Sequence, residues 1–326
     1  MPLKKILIIQ TAFIGDVILA TAILEKLNEH DANMSVDLLV RKGNESLVLD
    51  HPKLNDVIIW DKNNGKYKAL RNVLKVIRKN KYDAVVNLQR FGSTGMLTAF
   101  SKAKFKIGFD KNPFSFLFTH KVKHEMNGIH EVERNLSLLS FMGIKGGAHP
   151  KLYPSELAKE KVREYKSEPF VCMAPSSIWY TKQWPWEKWV ELIQETKNAK
   201  IYLLGAPDDF DYCENIRLKS RVESVMNLAG KLNLLQSAAL MEDARMNFVN
   251  DSAPMHLASA VNAPVTAIYC STIPKFGFGP LSDKSMVVET EEKLDCRPCG
   301  LHGFKSCPKG HFNCAKTISI QKVLER

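Results

Sequence analysis

Phe248-Val249-Asn250-Asp251-Ser252-Ala253-Pro254-Met255-His256-Leu257-Ala258 runs from an apolar strand end through a short polar turn into a helix. Asp251 and Ser252 are of the types that cap a helix N-terminus with a side-chain oxygen. Pro254 suits the first helical position, where its missing N–H has no partner to lose. A helix start with free amides and the positive end of a dipole attracts phosphate. Any strand-to-helix junction of an α/β domain looks similar, so the meaning of this stretch depends on the rest of the chain.

The pattern around it is repetitive. In the first half, residues 5–10 form a continuous apolar run, as expected of a parallel strand buried on both faces. Helical spacing follows over 16–28, then strand patterns over 35–40 and 56–60, a helix over 67–80 and a strand over 84–88. A helix over 130–142 precedes a polar, Gly/Pro-punctuated stretch, 143–168, that reads as a linker. The second half repeats the style, with strands over 170–174, 201–204, 246–250 and 265–269. Helices over 186–197, 211–219, 234–242 and 255–260 lie between or beside them. Strands alternating with helices predict an α/β chain of two doubly wound, Rossmann-like domains facing a central cleft.

Composition narrows the partners. The chain has 326 residues, enough for two cores, with 45% apolar and 25% charged residues. No run approaches the ~20 apolar residues of a membrane span. Lys4 and Lys5 imitate the start of a signal peptide, but the apolar block after them is short and no small-residue cleavage site follows, so a cytoplasmic location is expected. The net charge of +11 is uneven: residues 1–155 carry 24 Lys/Arg against 14 Asp/Glu (+10), and the remainder 22 against 21 (+1). A basic first half suits an anionic partner. The scattered cations and the lack of a nucleic-acid-binding motif argue against nucleic acid and leave a phosphorylated substrate or a membrane surface.

Several residues could carry chemistry. Gly15 and Asp16 follow the first strand. Gly15 would allow a tight turn, and Asp16 could accept a proton from a substrate hydroxyl or simply cap the next helix. Ser176 and Ser177 close another strand, and Lys182 follows in Thr181-Lys182-Gln183-Trp184-Pro185. Hydroxyls, amides and a compact cation there can hold phosphate oxygens, although a surface lysine and core-anchoring Trp184 and Trp186 explain the same residues. Asp208 and Asp209 sit where ribose hydroxyls could bind, or cap a helix. Phe114, Phe116 and Phe118 alternate as a half-buried strand does, which is preferred to lipid contact.

In order and spacing, these segments resemble glycosyltransferase family 9, the ADP-heptose:lipopolysaccharide heptosyltransferases, which have the GT-B fold. The matching features are Gly15-Asp16, Lys182-Gln183-Trp184-Pro185, Asn227-Leu228-Ala229-Gly230, Asp251-Ser252-Ala253-Pro254-Met255-His256-Leu257-Ala258, Ala263-Pro264-Val265 and Gly279-Pro280. The resemblance implies inverting transfer of heptose from ADP-heptose to an inner-core sugar, Kdo or heptose, with no cofactor required. It implies an acceptor-binding domain over 1–155 and a nucleotide-sugar-binding domain over 156–326. Asp16 would be the general base. Ser176, Ser177, Lys182, Asp208, Asp251, Ser252, Ala253 and His256 would serve the donor, with His256 bracing the loop. Ala253 replaces the usual glycine, which puts contact by its amide in doubt. The acceptor would be an anionic glycolipid, met by Gly15, Arg41 and Arg90, with Lys42, Lys104 and Lys106 as further cations. Peripheral contact with the inner face of the inner membrane would follow.

Cys296, Cys299, Cys307 and Cys314, with His302 and His311, crowd the C-terminus of a Cys-rich segment. The opening C-x2-C permits a structural zinc site, while reduced thiols or incidental disulfides fit as well; a catalytic metal is not expected. Two other readings remain open: a GT-B-type nucleotide-sugar epimerase, and a non-catalytic protein that binds nucleotide sugars or polyanions.

Overall fold

A computed structural model describes residues 3–63 and 65–325. The chain forms two compact units that part between Tyr153 and Pro154. The first contains β1 (Lys5–Ile9), α1 (Ile14–His30), β2 (Ser35–Arg41), β3 (Asp56–Trp60), α2 (Lys66–Asn80) and β4 (Ala84–Asn87). After these come α3 (Gly92–Ala99), β5 (Phe105–Phe109), β6 (His120–Val122) and α4 (Glu131–Ser137). Its six strands are parallel in the order β3-β2-β1-β4-β5-β6.

Every residue of β4, and β1 from Ile6 to Ile9, is buried, so helices cover both faces of the sheet centre. Side chains alternate between those faces. Leu7 and Ile9 join Ala69, Leu70, Val73 and Ile77 of α2 in one cluster. The apolar positions of α2 recur at helical spacing, and the lysines and arginines between them face water.

The second unit contains α5 (Glu156–Lys161), β7 (Phe170–Ala174), α6 (Trp186–Glu195), β8 (Lys200–Leu203), α7 (Phe210–Ser220) and β9 (Val225–Asn227). It continues with α8 (Leu234–Glu242), β10 (Asn247–Asn250), α9 (Ala253–Ala260), β11 (Val265–Tyr269), β12 (Ser285–Glu289), α10 (Asn313–Lys316) and α11 (Ile320–Leu324). The strand order β12-β11-β10-β7-β8-β9 gives the same winding as in the first unit. Trp184 and Trp189 meet edge to face at 5.4 Å in its core, and the Trp184 indole N–H donates to the Ala315 carbonyl. Trp184 is therefore a core anchor, and Trp186 packs against the same cluster.

Three sequence expectations need correction. The 143–168 stretch is not all linker, because Glu156–Lys161 forms α5, capped by the Ser155 hydroxyl and packed on α8. The Phe114/Phe116/Phe118 alternation is not a strand: Ser115–Leu117 is a 3-10 turn, with Phe118 buried and Phe116 exposed. Gly15 makes no turn either. It is the second residue of α1, and the chain turns earlier, over 11–13.

Candidate functional site

In an open α/β sheet, ligands bind where the strand order reverses, beyond the carboxyl ends of the two central strands. In the first unit those strands are β1 and β4. A buried amide network joins their ends: the Gln89 amide donates to Gln10 Oε1, Thr11 Oγ1 donates to Gln89 Oε1 (3.3 Å), and the Ala12 N–H donates to Gln10 Oε1 (3.2 Å). Asn44 Nδ2 holds the Ala12 carbonyl at 2.9 Å. This bracing fixes the turn that delivers Asp16.

Asp16 sits in the first turn of α1 and accepts a hydrogen bond from the Phe13 N–H at 3.2 Å. Burial raises its pKa above the ordinary carboxylate value. Hydrogen bonds from the backbone N–H groups of Phe13 and Asp16, and the charge of Arg41, oppose that rise. Arg41 lies over the Phe13 ring, 5.1 Å from its centroid, so Arg41, Phe13 and Asp16 form one group. Arg90 is exposed just beyond β4. Lys42 is engaged by Asp61 at 2.8 Å, and Lys104 and Lys106 flank the amino end of β5, at the sheet edge opposite Asp16.

Glu131 was not anticipated. It is buried at the start of α4, and Arg134 donates to its Oε2 from Nε (3.0 Å) and Nη2 (2.6 Å). Burial raises its pKa; Arg134 opposes the shift, Asp16 adds to it, and Arg90 pulls it down. Asp16 and Glu131 are thus electrostatic neighbours. The only sequence signal was the i,i+3 Glu-Arg pair on a helix face.

The second unit reverses order between β7 and β10. Ser176 and Ser177 follow β7, both partly exposed. Asn250, at the end of β10, was also missed. Its Nδ2 donates to the Pro175 carbonyl (2.8 Å) and its Oδ1 accepts from the Trp184 N–H (3.0 Å), which ties the two loops together. Lys182 Nζ lies 2.7 Å from Asp251 Oδ2, and both side chains are largely buried. Thr272 Oγ1 donates to the same carboxylate oxygen at 2.6 Å.

The junction quoted at the outset differs in detail from the sequence expectation. Ser252 is the N-cap of α9 without a side-chain capping bond, and Pro254 is the second helical residue rather than the first. Asp251 does not cap the helix; it holds the lysine. Ser252 and Ala253 present the helix start beside that pair, and His256 is buried one turn in. Asp208 is exposed in the 3-10 turn Pro207–Asp209, while Asp209 turns back onto the Ala206 N–H at 2.7 Å. Gly230, at φ +75°, lets its turn meet Pro207; a Cβ there would lie 2.9 Å from Pro207 Cα.

The Cys-rich segment straps this loop. The Phe304 N–H donates to Thr181 Oγ1 (2.8 Å), the Thr181 N–H donates to the Phe304 carbonyl (3.1 Å), and the Cys299 N–H donates to the Ser271 carbonyl (2.9 Å). All seven cysteines are free, and Cys296 Sγ lies 3.7 Å from His311 Nε2. Burial raises the pKa of Cys299, and pushes that of Cys314 up to about 11, with neighbouring thiols adding to both shifts. Among the described residues, no three His, Cys, Asp or Glu side chains gather as a metal site.

Two α/β units, each a six-stranded parallel sheet with the same reversed strand order, make the GT-B fold. The chain matches glycosyltransferase family 9 (heptosyltransferase) over residues 70–301 and belongs to that family; it is a glycosyltransferase. It is 28% identical to lipopolysaccharide heptosyltransferase 3 of Escherichia coli, over 80% of this chain and 82% of that protein. The fold is shared with a family 9 glycosyltransferase from Veillonella parvula, at a TM-score of 0.83 and 20% identity, covering 98% and 95% of the two chains. It is shared too with the E. coli heptosyltransferase WaaC solved with ADP-2-deoxy-2-fluoro heptose, at a TM-score of 0.72 and 20% identity, covering 88% and 93%.

Proposed function

We propose that this protein transfers heptose from ADP-heptose to a hydroxyl of the lipopolysaccharide inner core, a Kdo or heptose residue, with inversion and without a metal ion in the chemistry. The observation that carries the reading is the Lys182–Asp251 pair beside the start of α9, at the switch point of the second unit. Asp251 takes one face of the ammonium, and a lysine has three protons to offer. Lys182, the Ser176 and Ser177 hydroxyls and the amides at Ser252 and Ala253 then receive the diphosphate. The exposed Asp208 takes the ribose hydroxyls.

Asp16 takes the proton of the acceptor hydroxyl as its oxygen attacks the anomeric carbon. The carbon–oxygen bond to the diphosphate breaks on the opposite face, and its electron pair leaves on ADP. Lys182 and the helix start meet the charge that develops there. Arg41 and Arg90 suit an anionic glycolipid acceptor, which brings the protein to the membrane surface. The ADP-2-deoxy-2-fluoro heptose solved with WaaC and the name of the E. coli relative support this reading. Membership of a transferase family weighs against an epimerase.

Calorimetric titration with ADP, UDP and GDP tests the donor; ADP should bind tightest, and preference for UDP would sink the assignment. Asp16→Ala should keep ADP affinity and lower transfer by about 100- to 10,000-fold, the usual contribution of a general base. Near wild-type transfer by that variant would remove Asp16 from the mechanism.

A further inference from the structure

The carboxyl edge of the first sheet carries apolar side chains that folding leaves in water. Phe91, the last residue of the β4–α3 loop, is 64% exposed, and Phe116 and Leu117, in the β5–β6 connection, are 72% and 40% exposed. Because β4 and β5 are neighbouring parallel strands, these two loops rise from the same edge. They are also joined. Asn112 Nδ2 donates to the Gln89 carbonyl (2.9 Å) and the Phe91 carbonyl (3.1 Å), and Asn112 Oδ1 accepts from the Phe114 N–H (3.0 Å). Gly95 makes room for this anchor, since a Cβ there would fall 2.0 Å from Asn112 Oδ1. The Phe114 and Phe116 rings stack with centroids 6.4 Å apart. The loop is therefore braced from beneath while its tip is apolar, and such a tip on a held loop marks an interaction surface.

Charge selects the occupant. Arg90 adjoins Phe91, Lys111 follows Asp110 at the start of the β5–β6 connection, and Arg90, Asp110 and Lys111 are all exposed. They stand on the half of the chain with 24 Lys/Arg against 14 Asp/Glu. Apolar tips flanked by cations match the interface of an anionic bilayer, where rings and aliphatic groups enter the acyl boundary and cations meet the headgroups. We propose that Phe91, Phe116 and Leu117 form a wedge that docks the first unit on an anionic phospholipid surface. The proposal deepens the reading of a membrane-borne acceptor and rests on it.

Flotation with phosphatidylglycerol-containing vesicles, against pure phosphatidylcholine vesicles, tests the wedge without any acceptor present. The wild-type protein should float with the anionic vesicles at low salt and release at high salt. Phe116→Ser/Leu117→Ser should lower binding by about tenfold or more, with an unchanged melting temperature. If that variant is unstable, Phe116→Trp serves instead, and its added emission should shift to the blue when anionic vesicles are mixed in. Absence of wild-type flotation, equal flotation of the double variant, or no emission shift overturns the proposal. Transfer to a water-soluble, acyl-free acceptor should be unchanged in the double variant. Absence of wild-type flotation with transfer intact thus speaks against the wedge alone, whereas failure of the wild-type protein to use ADP-heptose speaks against the transferase reading.

Discussion

Asp16, proposed above as the general base, is a residue whose burial is costly to the fold. A carboxyl group whose pKa is raised by burial binds its proton more tightly in the folded chain than in the unfolded one. Between the unfolded value, about 3.9, and the raised folded value, the folded state holds more protons. Stability from this group is therefore present below that window and is lost as pH rises through it. Catalysis has the opposite demand, since the base must be ionised. The acid limb of the kcat/KM profile should lie above the ordinary carboxylate range. Asp16→Asn should raise the melting temperature at neutral pH, lose that advantage as pH falls through the window, and abolish the limb together with the activity. A limb at the usual aspartate value would contradict the burial argument.

At the scale of elements, the strap from the Cys-rich segment fixes Lys182. Gly303 stands at φ +76°, and a Cβ there would lie 2.8 Å from Thr181 Oγ1 and 3.1 Å from Lys182 Cγ. Gly303→Ala should weaken ADP binding by about tenfold, the scale of one charged hydrogen bond. Gly300 is the control: its φ is +72° with open space around it, so Gly300→Ala adds backbone strain but should leave ADP affinity alone. Equal losses in the two variants would reduce the strap to a stability effect.

The elements also explain what could be read in the sequence. β1 and β7 were legible because strands covered on both faces are unbroken apolar runs. Helix α3 was not, because Gly92-Ser93-Thr94-Gly95 has poor helix propensity and is held by tertiary packing. The phenylalanine alternation misled because period two also arises in a loop pinned by Asn112. Asp16 was readable from its place after a strand. The pairing of Lys182 with Asp251, and the coupling of Glu131 to Asp16, join residues far apart in the chain, and no local pattern encodes them.

At the scale of the molecule, each unit has its own core and its own reversal of strand order, so nucleotide binding should be felt unequally. Hydrogen exchange on the full chain should show ADP slowing amides over 175–183 and 250–256 while those over 84–100 keep their rates. Equal slowing in both units would contradict the assignment of the donor to the second. The Lys182–Asp251 pair bears on turnover as a whole. In the proposed donor site, bound ADP would compete with a built-in counterion for the same ammonium, since Asp251 already pairs with Lys182. Such a site gives up part of its affinity for the spent nucleotide, and the carboxylate stands ready to reclaim the lysine as ADP departs. On that proposal the pair would limit product inhibition, trading tightness of grip for speed of reset.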